Sequence, residues 1–418
     1  MTGFELPGHI ESILRHLTEN GHAAYIVGGC VRDSVIGRPV HDWDVATSAS
    51  PEKVAGLFRK TVLTGEKFGT VTVIVPEGTV EVTTFRVEGA YNDGRRPGSV
   101  EFVSSIEEDL SRRDFTINAM ALSVSGQLCD PYGGLADIES RVLRCVGEAD
   151  VRFQEDALRM FRAYRFSAEL GFAIEPETKR SICSNAEMAK RISGERIRDE
   201  LERTLLSNKT EIVCGMIASG LLDRYITQSG KIRHDPGRIA LLPEEAVLRW
   251  CAFCAMLMDG GVISSAGRFL RDLRLDGKTI KTCSAAVSIQ SFPDDRAGIK
   301  RLLAKYGTDA VRCAAASLDT LCDISSLETG GRLLEKVGDI VCSGECFSLE
   351  SLSVSGSDIV SLGFSPGREI GVMLDKLLDH VIGFPEDNTR EVLVKMAAEC
   401  GSHTGLEAKT QDSVDETG

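Results

Sequence analysis

Asp42 and Asp44 are separated by a single residue, Trp43. On an extended chain, residues two apart project from the same face. Two carboxylates so placed repel unless a positive charge lies between them. Mg2+ answers that need, because it takes hard oxygen ligands, often one or two carboxylates, and leaves room for phosphates. Two such ions about 3.5–4 Å apart stabilise both the attacking and the leaving oxygen of a phosphoryl displacement. The complementary half lies upstream, in Gly28-Gly29-Cys30-Val31-Arg32-Asp33. Gly28 and Gly29 lack Cβ atoms, so their backbone N–H groups can close on a triphosphate. A helix starting after them offers its positive end, and Arg32 offers a planar fork for phosphate oxygens. A lone Gly-Gly is ordinarily a turn, and a lone Asp-x-Asp ordinarily a solvated loop. In the order strand, Gly-Gly, helix, strand, the two together are far more specific.

Two further clusters suit nucleotide chemistry. In Arg112-Arg113-Asp114 a basic pair sits beside an acid, with arginine suited to phosphate and aspartate to ribose hydroxyls. The plain alternative is a salt bridge at a helix end. In Glu155-Asp156-Ala157-Leu158-Arg159, Asp156 and Arg159 are three apart and so neighbours on one helical face, where an ion pair is again the plain reading. Arg162 and Arg165 follow at the same step. Each step advances about 300°, so Arg165 ends opposite Asp156 and the four side chains cannot all meet one ligand.

These residues need a framework. Residues 9–20 carry Ile10, Ile13, Leu14 and Leu17 at helical spacing; 23–27 is a short apolar strand ending at the glycines; 31–36 starts a helix; and 44–46 is a second brief strand. The β-branched runs 70–75 and 80–85, separated by Pro76-Glu77-Gly78, predict an antiparallel hairpin. Residues 88–99, rich in Gly, Asp and Arg, predict a mobile loop, and 115–120 a helix with an apolar face. After about 145 strand signals vanish, and helical patterns run over 153–170, 176–189 and 194–206. From 210 onward the periodicity stays helical, interrupted by prolines, with Arg271, Arg274 and Lys278 spaced to share one helix face. The polar residues 403–418 predict a disordered end.

Composition narrows the class. The 418 residues are 42% hydrophobic and 26% charged, an ordinary globular balance. No run of eighteen apolar residues occurs, so no membrane span is expected, and the acidic start, MTGFELPGHIESILRHL, lacks the form of a secretory signal. The net charge of −14 argues against bulk electrostatic binding of nucleic acid, but residues 151–210 hold 12 Lys/Arg against 10 Asp/Glu. Thirteen scattered cysteines include one C-x-x-C, Cys251 and Cys254, with no second pair or histidines at ligand spacing. No zinc is expected; Cys251 and Cys254 read as small buried hydrophobes in a reducing cytoplasm.

The run GGCVRD…DWD resembles the nucleotidyltransferase signature of the polymerase-β superfamily. More closely it resembles bacterial tRNA nucleotidyltransferases of the CCA-adding family and their poly(A) polymerase relatives. The similarity continues in family order through TGEKFGTVTV, EVTTFR, EEDLSRRDFTINAMAL, DPYGGLADI, EDALRMFRAYRF and GERIRDEL, and covers roughly residues 20–210, with patches to about 395. The resemblance implies an α+β fold: a polymerase-β-like head with a mixed or antiparallel sheet (1–145), then an elongated all-α neck (146–210), body (211–335) and tail (336–402), with 403–418 beyond. It implies Asp42 and Asp44 as catalytic ligands of Mg2+, and a nucleotide site made of Gly28, Gly29, Arg32, Arg113, Asp114, Asp156, Arg159, Arg162 and Arg165. In the family a strand beside the Asp-x-Asp strand places a third acid, here Glu81, near the metals; an exposed strand glutamate is the alternative. Asp156 and Arg159 would read the incoming base, and Glu195-Arg196 with Asp199 would brace their helix. The implied activity is addition of the 3′-terminal CCA to the acceptor end of tRNA from CTP and ATP, in the cytoplasm. An A-adding or poly(A)-forming relative is the alternative, and a catalytically dead RNA-binding protein a remote third.

Overall fold

The computed structural model describes residues 6–65, 69–89, 99–227, 229–321 and 332–407. It divides into two compact units, Met1–Gln228 with Asp272–Arg274, and Ser229–Arg271 with Leu275–Gly418.

The first unit opens with helix α1 (Gly8–Glu19), whose Ile10, Ile13, Leu14 and Leu17 form one buried stripe. Strands β1 (Ala24–Val27) and β2 (Asp44–Thr47) flank α2 (Gly29–Ile36), and α3 (Pro51–Leu57) leads into β3 (Thr61–Gly65). β4 (Thr70–Val75) and β5 (Gly78–Thr84) form the expected antiparallel hairpin. Val71 and Val73 alternate inward on β4, the pattern of a half-buried strand. β6 (Arg86–Glu88) and β7 (Val100–Phe102) pair as a separate ribbon. The loop expected over 88–99 thus gives up Glu88 to β6 and ends at the start of β7, and residues 90–98 lie outside the described residues. α4 (Ile106–Ser111), β8 (Ala121–Ser123), β9 (Leu128–Cys129), α5 (Gly134–Ser140) and β10 (Val142–Leu143) complete this part. The helix expected over 115–120 is only a 3-10 turn, Thr116–Asn118, with all three residues buried. The main sheet runs β3-β4-β5-β2-β1-β8-β9. It is mixed, because β2 and β5 run parallel while the other neighbours are antiparallel.

Helices α6 (Ala149–Glu155), α7 (Leu158–Leu170), α8 (Pro176–Asn185), α9 (Gly194–Leu205) and α10 (Val213–Ala218) follow in the same unit. Strand structure does not end at 145: β11 (Ala173–Ile174) pairs in parallel with β10, so a two-residue ribbon reaches into the helical stretch. α7 stops at Gly171, whose φ of 72° provides the left-handed cap.

The second unit is helical: α11 (Ala246–Asp259), α12 (Ala266–Asp272, which crosses into the first unit at its end), α13 (Gly277–Ala286), α14 (Arg296–Tyr306), α15 (Thr308–Leu321), α16 (Leu333–Cys342), α17 (Gly356–Ser361), α18 (Arg368–Gly383) and α19 (Arg390–Glu407). Cys251 and Cys254 are fully buried on α11 beside Trp250 and Phe253. Arg274 takes a left-handed φ of 62° between α12 and α13. The turn it makes breaks the single face that spacing suggested for Arg271, Arg274 and Lys278. A boundary at 335/336 would fall inside α16, and one at 210/211 inside the 3-10 turn Thr210–Ile212. The last hydrophobic cluster gathers Cys346, Ile359, Met373, Leu377, Val381 and Leu393. α19 is helical to Glu407, five residues into the segment expected to be disordered; residues 408–418 lie outside the described residues. No helix among the described residues is long and apolar enough to cross a membrane.

Candidate active site

The site begins where β1 hands over to α2. Gly28 has φ 80°, and a Cβ there would lie 2.7 Å from Nη1 of Arg113 and 3.9 Å from Oδ2 of Asp44. Glycine is therefore needed both for its backbone angle and for the guanidinium seated against it. No side chain caps the start of α2, which leaves its first-turn N–H groups available to an anion.

β2 begins at Asp44, and Asp42 sits on the approach to it rather than within the strand. Antiparallel pairing with β1 brings Asp44 to the Gly28 turn, and the parallel register with β5 places it opposite Glu81. Asp42, Asp44 and Glu81 are all exposed. Partial loss of water pushes the Asp44 carboxyl above its ordinary range; Arg113 pulls it down, and Glu81 and Asp42 push it up again. A carboxylate disfavoured by lost water and two acidic neighbours is one that a cation would relieve. Among the described residues no three His, Cys, Asp or Glu side chains already form a metal-holding group. The donor set instead fits a hard divalent ion held by one or two carboxylates and completed by water and substrate phosphates.

A second layer lies under Arg113. Asp114 is 8% exposed, and its oxygens are occupied. Oδ1 accepts from the Phe115 N–H and from Asn118 Nδ2, and Oδ2 accepts from Nε and Nη2 of Arg162. Burial alone would raise its pKa, but Arg162, Asn118 and Arg159 outweigh it and hold the carboxyl far below its ordinary value. Arg32 also turns inward. It is 7% exposed, forks onto Asp33 and donates to Asn118 Oδ1 at 2.6 Å. The guanidinium carbons of Arg32, Arg162 and Arg165 lie 5.1, 5.2 and 3.9 Å from the Phe166 ring centre. Asn118 and Phe166 are the members of this network that spacing did not single out, although Asn118 stands one helical turn beyond Asp114.

The base-reading pair differs from expectation. Asp156 is not within the long helix. It ends α6 with an extended backbone, φ −141° and ψ 105°. Its Oδ1 accepts from the Leu158 N–H and its Oδ2 from Arg196 on α9. Arg159 pairs with Glu155 instead, and it also donates to the carbonyls of Arg152 and Arg112. Arg165 is 1% exposed and paired with Glu169 and Glu200, so the structure places it inside the protein. Arg162 and Arg159 from α7, with Arg152 from α6 donating to the Ser111 carbonyl, all converge on residues 111–114 and fasten these helices to the sheet-bearing part.

Comparison with known proteins follows the same outline. The model of the Poly A polymerase head domain matches residues 24–144. The model described as the probable RNA and SrmB-binding site of polymerase A matches 171–226. The CCA-adding enzyme of Bacillus subtilis (strain 168) is 36% identical over 405 residues, covering 94% of this chain and 98% of the relative. That of Bacillus velezensis is 38% identical over 358 residues, covering 84% and 87%. The crystal structure of the Bacillus stearothermophilus CCA-adding enzyme in complex with CTP superposes with a TM-score of 0.78 at 31% identity, covering 95% of this chain and 98% of that one.

Proposed function

The chain belongs to the CCA-adding enzymes, which are nucleotidyltransferases, and from that membership we propose how its residues complete the 3′ end of tRNA. The enzyme adds the terminal CCA from CTP and ATP without a nucleic-acid template and releases pyrophosphate. The observation that carries this reading is the meeting of Gly28, Asp44, Glu81 and Arg113 at one strand–helix turn.

Enzymes of this kind use a divalent metal, and here Asp42 and Asp44 would hold Mg2+ with Glu81 beside them. Bound there, the ion supplies positive charge to the attacking 3′ oxygen and the leaving phosphate. The rest is done by the chain. Gly28 and Gly29 admit the triphosphate to the N–H groups of α2, and Arg113 meets its charge. Arg32, Asp114 and Arg162, locked together with Asn118, form the floor under the sugar and phosphates. Arg165 acts from inside, fixing Phe166 and α9. Asp156 and Arg159 face the base. Cytosine and adenine each carry an amino group beside a ring nitrogen, so a carboxylate accepts from the one while a guanidinium donates to the other. Uracil and guanine put an oxygen there, and a mismatched pattern costs on the order of 1–3 kcal/mol. A carboxylate has about four acceptor positions, so Asp156 can serve a base while Arg196 holds it. The helices α6 to α9 select the base, and the helices from α10 onward hold the tRNA acceptor end by shape and phosphates in the cytoplasm.

Incubation with tRNA ending at the residue before CCA, and with tRNA carrying one or two of the added cytidines, offering CTP and ATP singly, tests the reading. The expected outcome is C addition to the two shorter substrates and a single A on the longest. Failure to add C to the shortest overturns it in favour of an A-adding relative, and continued A addition in favour of a poly(A) polymerase.

A further inference from the structure

Asp109, on α4, is 1% exposed, and no role described so far uses it. A carboxylate that buried is costly unless it is surrounded by cations and donors. Its Oδ1 accepts from Nε and Nη2 of Arg112, at 3.0 and 2.9 Å, and from the backbone N–H of Arg86, the first residue of β6. Its Oδ2 is buried, has no hydrogen-bond partner and faces Nη2 of Arg113 at 3.5 Å. The opposite nitrogen of that guanidinium, Nη1, is the atom lodged where a Cβ of Gly28 would be, and Arg113 is the cation acting on Asp44. Arg113 Nε is itself buried without a partner. The fork is therefore located by one charged contact behind it and by the absence of a side chain in front of it.

We propose that Asp109 is the positioning residue for Arg113: its inward oxygen holds the guanidinium against Gly28 at the angle that presents it to the incoming triphosphate. The same carboxylate ties the start of the β6–β7 ribbon to that seat. The inference rests on Arg113 holding the triphosphate, as proposed above. A free arginine would sample many rotamers, each ordered again on binding, so a preset one binds more tightly. Asp109 touches neither the triphosphate nor the carboxylate pair, and its effect passes wholly through Arg113.

The test is a double-mutant cycle on the full chain. CTP affinity in magnesium buffer is measured by calorimetry for the wild type, Asp109→Asn, Arg113→Gln and the double variant, with melting temperature followed alongside. Each single variant is expected to weaken CTP by about tenfold. The double variant is expected to match Arg113→Gln within about twofold, because the two residues act as one unit. In steady state Asp109→Asn raises the KM for CTP and ATP alike and leaves the KM for tRNA unchanged, a split that general loosening of the fold would not produce. Losses that multiply in the double variant, or an Asp109→Asn enzyme with unchanged CTP affinity beside a weakened Arg113→Gln, overturn the inference and leave the Arg113 reading standing. An Arg113→Gln enzyme with unchanged affinity overturns both. If Asp109→Asn does not fold, Asp109→Glu replaces it in the cycle. Glu keeps the charge for Arg112 but displaces Arg113 by one methylene, and the same failure to add must hold.

Discussion

One oxygen of Asp156 is held by Arg196 and the other by the Leu158 N–H, so the carboxylate is aimed before any base arrives. Removing it by Asp156→Ala is expected to raise UTP and GTP incorporation relative to CTP and ATP by about tenfold or more, the size of one lost recognition pattern. Arg196→Ala is expected to produce the same blurring to a smaller degree. Ratios of kcat/KM across the four triphosphates check both, and unchanged ratios in the two variants would remove Asp156 from base selection. The part of the proposed site whose residues are close in the chain was readable from sequence. Gly28, Gly29, Asp42 and Asp44 declare themselves within seventeen residues, and Glu81 reaches Asp44 through strand pairing. Arg165 was not readable, because its partner Glu200 lies 35 positions away and nothing in a three-residue arginine step reveals burial. The partners of Arg32 and Asp114 were hidden in the same way. Their types suit phosphate and ribose, yet Asp33, Asn118 and Arg162 already engage them.

The break between α6 and α7 shows why helix periodicity misses a joint. Residues 153–170 hold no Gly or Pro, and the apolar spacing runs through. What ends α6 is the Asp156 side chain bonding forward to the Leu158 N–H, a local competitor to helix that spacing cannot see. The ribbon β10–β11 escaped notice because two residues carry no alternation. The hairpin and α1 were legible because six or more residues repeat a pattern. Elements are also joined by buried charge. Lys300 on α14 is 2% exposed and pairs with Glu345, beyond α16, which Arg296 also holds. Hydrogen bonds from Arg296 and then Lys300 lower the Glu345 carboxyl to about 2 from an ordinary 4.5. A depressed acid contributes stability that is full above about pH 4.5 and is lost as pH falls toward 2. Glu345→Gln is therefore expected to destabilise the protein at pH 7 by about 2 kcal/mol, less than for a wholly buried pair because Glu345 is 25% exposed. The gap from wild type should close on acidification through that window. Urea unfolding at a series of pH values checks this, and a gap constant with pH would exclude the ion pair as its source.

At the scale of the whole molecule, the function proposed above spreads RNA holding more widely than the chemistry, since the RNA-binding-site model already matches 171–226 in the unit that carries the carboxylates. The carboxylates proposed to hold the metal lie in the unit Met1–Gln228, while α13 to α19 belong to the other. Asp42→Ala is expected to lower incorporation of both CTP and ATP by at least about 1,000-fold, because it removes one of the two carboxylates proposed to hold the metal. It should leave the tRNA Kd within about twofold, since binding to phosphates and shape is spread over many contacts. Single-turnover incorporation and a filter-binding titration separate the two, and a parallel loss of tRNA affinity would contradict the division. The two side chains proposed to face the base are anchored differently. Asp156 is moored to α9 through Arg196, whereas Arg159 is moored to Glu155 and to the Arg112 carbonyl at the edge of the sheet-bearing part. In the role proposed for them they share one hinge, the Arg159 N–H bonded to the Asp156 carbonyl, while their side chains are braced from different neighbours, so a small shift of α9 against the sheet-bearing part would reset the gap between acceptor and donor.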